Sequence, residues 1–123
     1  RRITATMATQ YYDIQDSRRI FGSEVELMKF LKSLLIKDYK IYEMQNEQGT
    51  MVPYHAHAFT ETILVLEGMM RLIIEEDIID VYPGQIVTIQ PFAIHLAAFP
   101  QEGGARFYLL FAERGRQNLF PSK

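Results

Sequence analysis

From Tyr39 onward the chain is a succession of short apolar runs, each closed by turn residues. That punctuation restricts the fold more than any other feature of the sequence. The runs YKIYEMQ, MVPYHAH, ETILVLE, MRLIIEE, IIDVY, QIVTIQ, IHLAAF and ARFYLLFAE follow one another too closely for helices to intervene. Between them lie NEQG, EGM, EED, YPG and QEGG, which supply the Gly, Pro, Asn and Asp that tight turns require. A further strand is expected within the N-terminal ITATMATQYYDI. Pro53 lacks an amide hydrogen, so its strand is predicted to lie at an edge or to bend there. Many short strands joined by tight turns fit a sandwich, jelly roll or barrel rather than an α/β sheet.

One segment departs from this pattern. In SEVELMKFLKSLLIKD, the residues Leu27, Phe30, Leu31, Leu34 and Leu35 recur at helical spacing and form an apolar face. Ser23 is placed to cap the helix, and Glu24 and Glu26 fall in the first turn, where the helix dipole favours carboxylates. The expectation is one helix laid over a sheet or a barrel end. A chain of 123 residues with 48% hydrophobic content can bury one ordinary core. No repeat or linker divides it, so residues 1–123 read as a single domain. Residues 1–38 then form an N-terminal arm and helix, and residues 39–112 the barrel.

Composition removes several function classes. A net charge of −2 without a basic stripe gives no footprint for direct nucleic-acid binding. The apolar runs are broken by Glu or Asp, so no membrane span is expected, and RRITATMATQ is too polar for a signal peptide. The absence of cysteine excludes disulfides, thiolate ligands and cysteine nucleophiles, and makes a cytoplasmic location the expectation.

The chemistry concentrates in GTMVPYHAHAFTETILVLEG, where His55, His57 and Glu61 lie within seven positions, and His95 is the one other histidine. Side chains two apart on a strand share a face, so two imidazoles can chelate one ion. A turn through Ala58-Phe59-Thr60 could return the Glu61 carboxylate to them. Taken alone, the pair is equally a metal site or polar side chains at a strand start.

The spacing resembles the first signature motif of the cupin superfamily at every fixed position. It runs Gly49, five residues, His55-Ala56-His57, three residues, Glu61, six residues, Gly68. A second motif resembles the family's less closely. Gly84 and His95 keep the separation, but the usual Pro-Pro-Gly turn reads Gln90-Pro91-Phe92, and Phe99 stands where an asparagine is common. The resemblance implies an all-β double-stranded β-helix, a small jelly-roll barrel with one N-terminal helix. Inside it, His55, His57, Glu61 and His95 would ligate one divalent transition metal. Three imidazoles and a carboxylate suit Fe, Mn, Ni, Cu or Zn. Gly68 and Gly84 are expected to serve turns, with positive φ at Gly68.

Around that site Phe59, Phe92 and Phe99 are candidates for an apolar pocket, joined by Tyr42, Met44, Gln90 and Tyr108. Tyr54 is out of phase with the histidines and should face away. Arg71 and Arg106 would serve an anionic substrate only if they face inward. The resemblance implies a metal-binding cupin with a small-molecule ligand or substrate, and small cupins of this kind include isomerases, lyases and dioxygenases. The run from His55 to His95, with RFYLLFAERGRQNLF, also resembles the ligand-binding half of AraC-like transcription regulators. That resemblance implies a sensor domain. No basic recognition helix is present here to read DNA. A homodimer is expected, formed through edge strands or through an exchanged ITATMATQYYDI arm.

Overall fold

The computed structural model describes residues 11–112. Strand β1 (Tyr12–Asp16) leads into a one-turn helix α1 (Ser17–Ile20) and then helix α2 (Glu24–Ile36). Eight strands follow: β2 (Tyr39–Asn46), β3 (Met51–His55), β4 (Glu61–Gly68), β5 (Met70–Ile74), β6 (Asp77–Val81), β7 (Gln85–Ile89), β8 (His95–Ala98) and β9 (Ala105–Ala112). All eight expected runs after Asp38 are strands, with ends shifted by a residue or two. The ninth begins inside the N-terminal segment. Residues 3–10 of the expected arm lie outside the described residues, while Tyr12–Asp16 pair antiparallel with β7 of the same chain.

The strands form two sheets, ordered β1-β7-β4-β9-β2 and β3-β8-β5-β6, with every pairing antiparallel. This is an all-β jelly roll. Pro53 lies on β3, which is an edge strand, and the pairing of β3 with β8 shifts register between Val52 and His55. Both consequences expected of that proline are therefore realised.

Period-two alternation sorts side chains into two apolar layers. Ile63 and Val65 of β4, Val87 and Ile89 of β7 and Phe107 of β9 point between the sheets, where they meet Met70, Leu72 and Ile74 of β5. The intervening residues Leu64, Ile86 and Leu110 point the other way, against Leu31 and Leu34 of α2. Strand β4 is covered on both faces, which explains why ETILVLE reads as a nearly continuous apolar run. Burying each such aliphatic side chain contributes about 1.5–3 kcal/mol.

Helix α2 starts where the sequence places it: the Ser23 hydroxyl accepts from the Glu26 amide at 3.2 Å. Its packing face is Leu27, Phe30, Leu31 and Leu34. Leu35, expected on that face, is instead 57% exposed. It lies one residue beyond Leu34, about 100° around the helix, and only one of the two can point straight at the sheet. The turn glycines lie where the chain changes sheets, Gly68 between β4 and β5 and Gly84 between β6 and β7. Gly68 has φ +81° and Gly84 φ +90°, and a Cβ on Gly68 would collide with the Gly104 carbonyl oxygen. Among the described residues, no helix is long and apolar enough to cross a membrane.

Candidate metal centre and its pocket

The two segments that carry donors are crossings between the sheets. The chain passes from β3 to β4 through residues 56–60, and from β7 to β8 through residues 90–94, each time changing sheet. The donors therefore come from both sheets. His55 ends β3, Glu61 opens β4, His95 opens β8 and His57 sits on the first crossing. His55 and His95 are direct partners across β3 and β8. The amide of Phe92 donates to the carbonyl of His57 at 2.7 Å, which ties the two crossings together.

The donor atoms of His55, His57, Glu61 and His95 lie within 4.8 Å of one another. Ligand atoms on opposite sides of an ion with bonds of about 2.1 Å are separated by roughly 4 Å, so the spread is close to that of a single site. Each imidazole also has its other nitrogen fixed. Nδ1–H donates to a backbone carbonyl in all three: His55 to Pro53 at 2.8 Å, His57 to Phe59 at 3.1 Å and His95 to Ala93 at 2.9 Å. A carbonyl can only accept, so Nδ1 carries the proton and Nε2 is left to face the other donors. The donor set thus fits a divalent transition metal in atom type, convergence and tautomer.

The same atoms also approach one another: with His57 doubly protonated, its Nε2–H donates to Glu61 Oε1 at 2.8 Å, and His95 Nε2 lies 3.1 Å from the same oxygen. Burial pushes the Glu61 carboxyl up, but these hydrogen bonds and the imidazole charges outweigh it and hold the carboxyl at about 2. The bond to Glu61 raises the pKa of His57, against the opposing effect of its burial. Phe59 stacks flat on the His57 ring, with centroids 4.3 Å apart and planes 1° from parallel.

The cluster lines a cavity of about 200 Å³ between the sheets. Among the described residues, apart from the four donor residues and Asn46, every side chain lining it is aliphatic, aromatic or thioether. Of the residues expected around the site, Met44, Phe59 and Phe99 line the cavity. Tyr42, Gln90 and Tyr108 do not. Tyr42 shares a strand face with Met44 but stands at the mouth, 47% exposed, its ring 5.9 Å from that of Phe111. Tyr108 is out of phase with Phe107 and Leu109 and packs in the layer beneath α2. Gln90 follows Ile89, which points inward, so its own side chain is directed elsewhere. Phe92 is 70% exposed at φ +69° and also lies outside the lining. Tyr54 is exposed, as its phase requires.

The lining includes residues that the sequence reading did not single out, among them Ile63, Leu72, Ala97, Leu109 and Phe111. Two could have been found by stepping in twos from the donors: Ile63 from Glu61, and Ala97 from His95. Phe111 required the register, which places it opposite Glu61. Arg71 and Arg106 face outward. Arg71 Nε donates to Asp80 at 2.7 Å, and Arg106 bridges Glu43 at 2.9 Å and Glu67 at 3.0 Å.

The model of the cupin domain family matches residues 42–111, more than half of the chain. Among solved structures, a cupin 2 domain-containing protein from Halorhodospira halophila has TM-score 0.59 and 17% identity, over 65% of this chain and 56% of that one. A conserved protein of unknown function from Streptococcus pyogenes has TM-score 0.58 and 16% identity, over 64% and 68% of the two chains. An RmlC-like cupin family protein with a double-stranded β-helix fold from Methanocaldococcus jannaschii has TM-score 0.55 and 21% identity, over 60% and 69%. The chain thus spans just over half of the first protein and about two thirds of the others. Identities this low concern the fold alone. No curated protein matches.

Proposed function

The chain belongs to the cupin domain family, and from that premise we propose that it is a metal-dependent enzyme acting on a small organic molecule. His55, His57, Glu61 and His95 would hold one divalent transition metal. The observation that carries this reading is the convergence of three Nε2 atoms and a carboxylate, each imidazole turned to that use by its own backbone carbonyl. When bound, such an ion supplies Lewis acidity, polarising a carbonyl or enol oxygen or activating water or dioxygen. The reaction class falls among isomerisation, elimination and dioxygenation, which the fold does not separate.

The protein's own groups have definite tasks. Phe59, stacked on His57, fixes the plane of that imidazole and shields it from solvent on one face. The buried Glu61 carboxylate orients His57 and His95 through Oε1. Glu61 and His95 are buried, which strengthens the electrostatic interactions between them. Titration with Mn, Fe(II), Ni, Cu and Zn tests the reading. One tight site per chain is expected, lost when His57→Ala and His95→Ala are combined. Binding that survives the double substitution would place the ion elsewhere.

A second reading, a small-molecule sensor of the AraC-like kind, is favoured by α2. Beside its packed face, the helix exposes Val25, Met28, Leu35 and Ile36, a surface through which a bound state could be passed to a partner. The natural reading frame separates the two: helix-turn-helix sequence following Lys123 favours the sensor, and a stop codon close to Lys123 favours the enzyme.

A further inference from the structure

The cavity behind the donors narrows the ligand class. A dry cavity of about 150 Å³ lined by Leu, Ile and Phe takes up a benzene ring. The cavity here, at about 200 Å³, has room for one ring or one branched hydrocarbon group with a small substituent. Among the described residues its walls are Ile63, Leu72, Leu109, Phe99, Phe107 and their apolar neighbours, Asn46 is the one polar lining residue outside the donor set, and no Lys or Arg lines it. The arginines on β5 and β9 are engaged outside by Asp80, Glu43 and Glu67. Lys40 shares the strand face of Met44 but is exposed outside the cavity.

We propose that the site takes a compact hydrophobic compound carrying a single oxygen-donor head, the head directed at His55, His57, Glu61 and His95 and the body filling the apolar cavity. The oxygen head rests on the metal reading above; the apolar body rests on the cavity alone. A sugar would bury several hydroxyls where Asn46 offers one partner, and each unpaired hydroxyl costs roughly tenfold or more in affinity. A polycarboxylate would place its second charge where none of the described lining residues is a cation. The ligand is therefore uncharged or singly anionic, with hydrocarbon making up most of its surface.

The test uses toluene, benzoate, glucose and citrate as probes, with methyl NMR shifts of Ile63, Leu72 and Leu109 and calorimetry as readouts. Toluene is expected to shift those methyls in both metal-free and Zn-loaded protein. Benzoate should bind at least tenfold tighter when Zn is present, and glucose and citrate should leave the cavity methyls unmoved. Ala97→Leu narrows the cavity and is expected to weaken toluene binding at least tenfold with metal content unchanged. Val52→Phe, on the half-exposed edge strand, makes the same test if Ala97→Leu fails to fold. Citrate or glucose binding as tightly as benzoate, or toluene moving no cavity methyl, overturns the inference. Metal uptake without toluene binding sinks it and leaves the metal reading standing. Toluene binding in a protein that takes up no metal sinks the metal reading and the oxygen-head assignment with it, while the apolar body stands.

Discussion

Phe92 shows how a single residue can be read against its backbone. It occupies the position where the resembled motif has glycine, and its φ of +69° is one that non-glycine residues adopt at a cost. Its ring is largely exposed and contributes little packing. Phe92→Gly should relieve about 1–2 kcal/mol of left-handed strain and lose about 0.5–1 kcal/mol to chain entropy, a net gain of about 1 kcal/mol. Phe92→Val should be destabilising, because a branched Cβ tolerates that conformation least. Urea midpoints of both variants check the pair, and a lower midpoint for Phe92→Gly contradicts it. The donor cluster has its own signature in metal-free protein. Glu61, held at about 2 rather than 4.5, contributes stability present above pH 4.5 and lost as pH falls toward 2. His57, raised above 6.5, contributes stability complete below that value and lost as pH rises through its folded pKa. Denaturation across pH should therefore place the optimum of the metal-free protein between these limits, and Glu61→Gln should flatten both flanks. An optimum far above the histidine range would contradict the hydrogen-bonded cluster. The cluster was legible in the sequence because His55, His57 and Glu61 lie within seven positions and His95 keeps its separation from Gly84 in the second resembled motif. Tyr42, Gln90 and Tyr108 were misplaced because which face of a strand is inward depends on register, and register is set by partners far along the chain.

Among elements, the strands were legible from alternation and turn chemistry, and α2 from its cap and period. Helix α1 was not, since four residues are too few to show a period. Nor were the crossings: both segments that connect the donor strands change sheets. Nothing local in AFT or QPFAI distinguishes a hairpin loop from a crossing. Three substitutions test element packing. Leu34→Ala, beneath α2, should cost about 2–5 kcal/mol, while Leu35→Ala should cost little because its side chain is mostly in solvent. Gly68→Ala brings a Cβ onto the Gly104 carbonyl at positive φ and should cost about 2–4 kcal/mol. Thermal or urea melts of the three variants should rank them in that way. A large loss in Leu35→Ala would mean that the helix presents its other face.

For the whole molecule, the open question is association. Strand β3 is exposed along its length, carries Met51, Val52 and Tyr54, and has Pro53 alone to blunt it. We expect a homodimer through this edge, seen by sedimentation at micromolar concentration as about twice the 14.3 kDa chain mass. Met51→Lys should shift the equilibrium toward single chains, and a single-chain mass for the unaltered protein would remove the dimer. Elemental analysis of protein purified without chelator decides whether the four donors hold an ion. Close to one first-row transition metal per chain is expected, absent when His57→Ala and His95→Ala are combined. Protein that carries none, and whose melting temperature is unmoved by added Mn, Fe, Ni or Zn, would contradict that expectation.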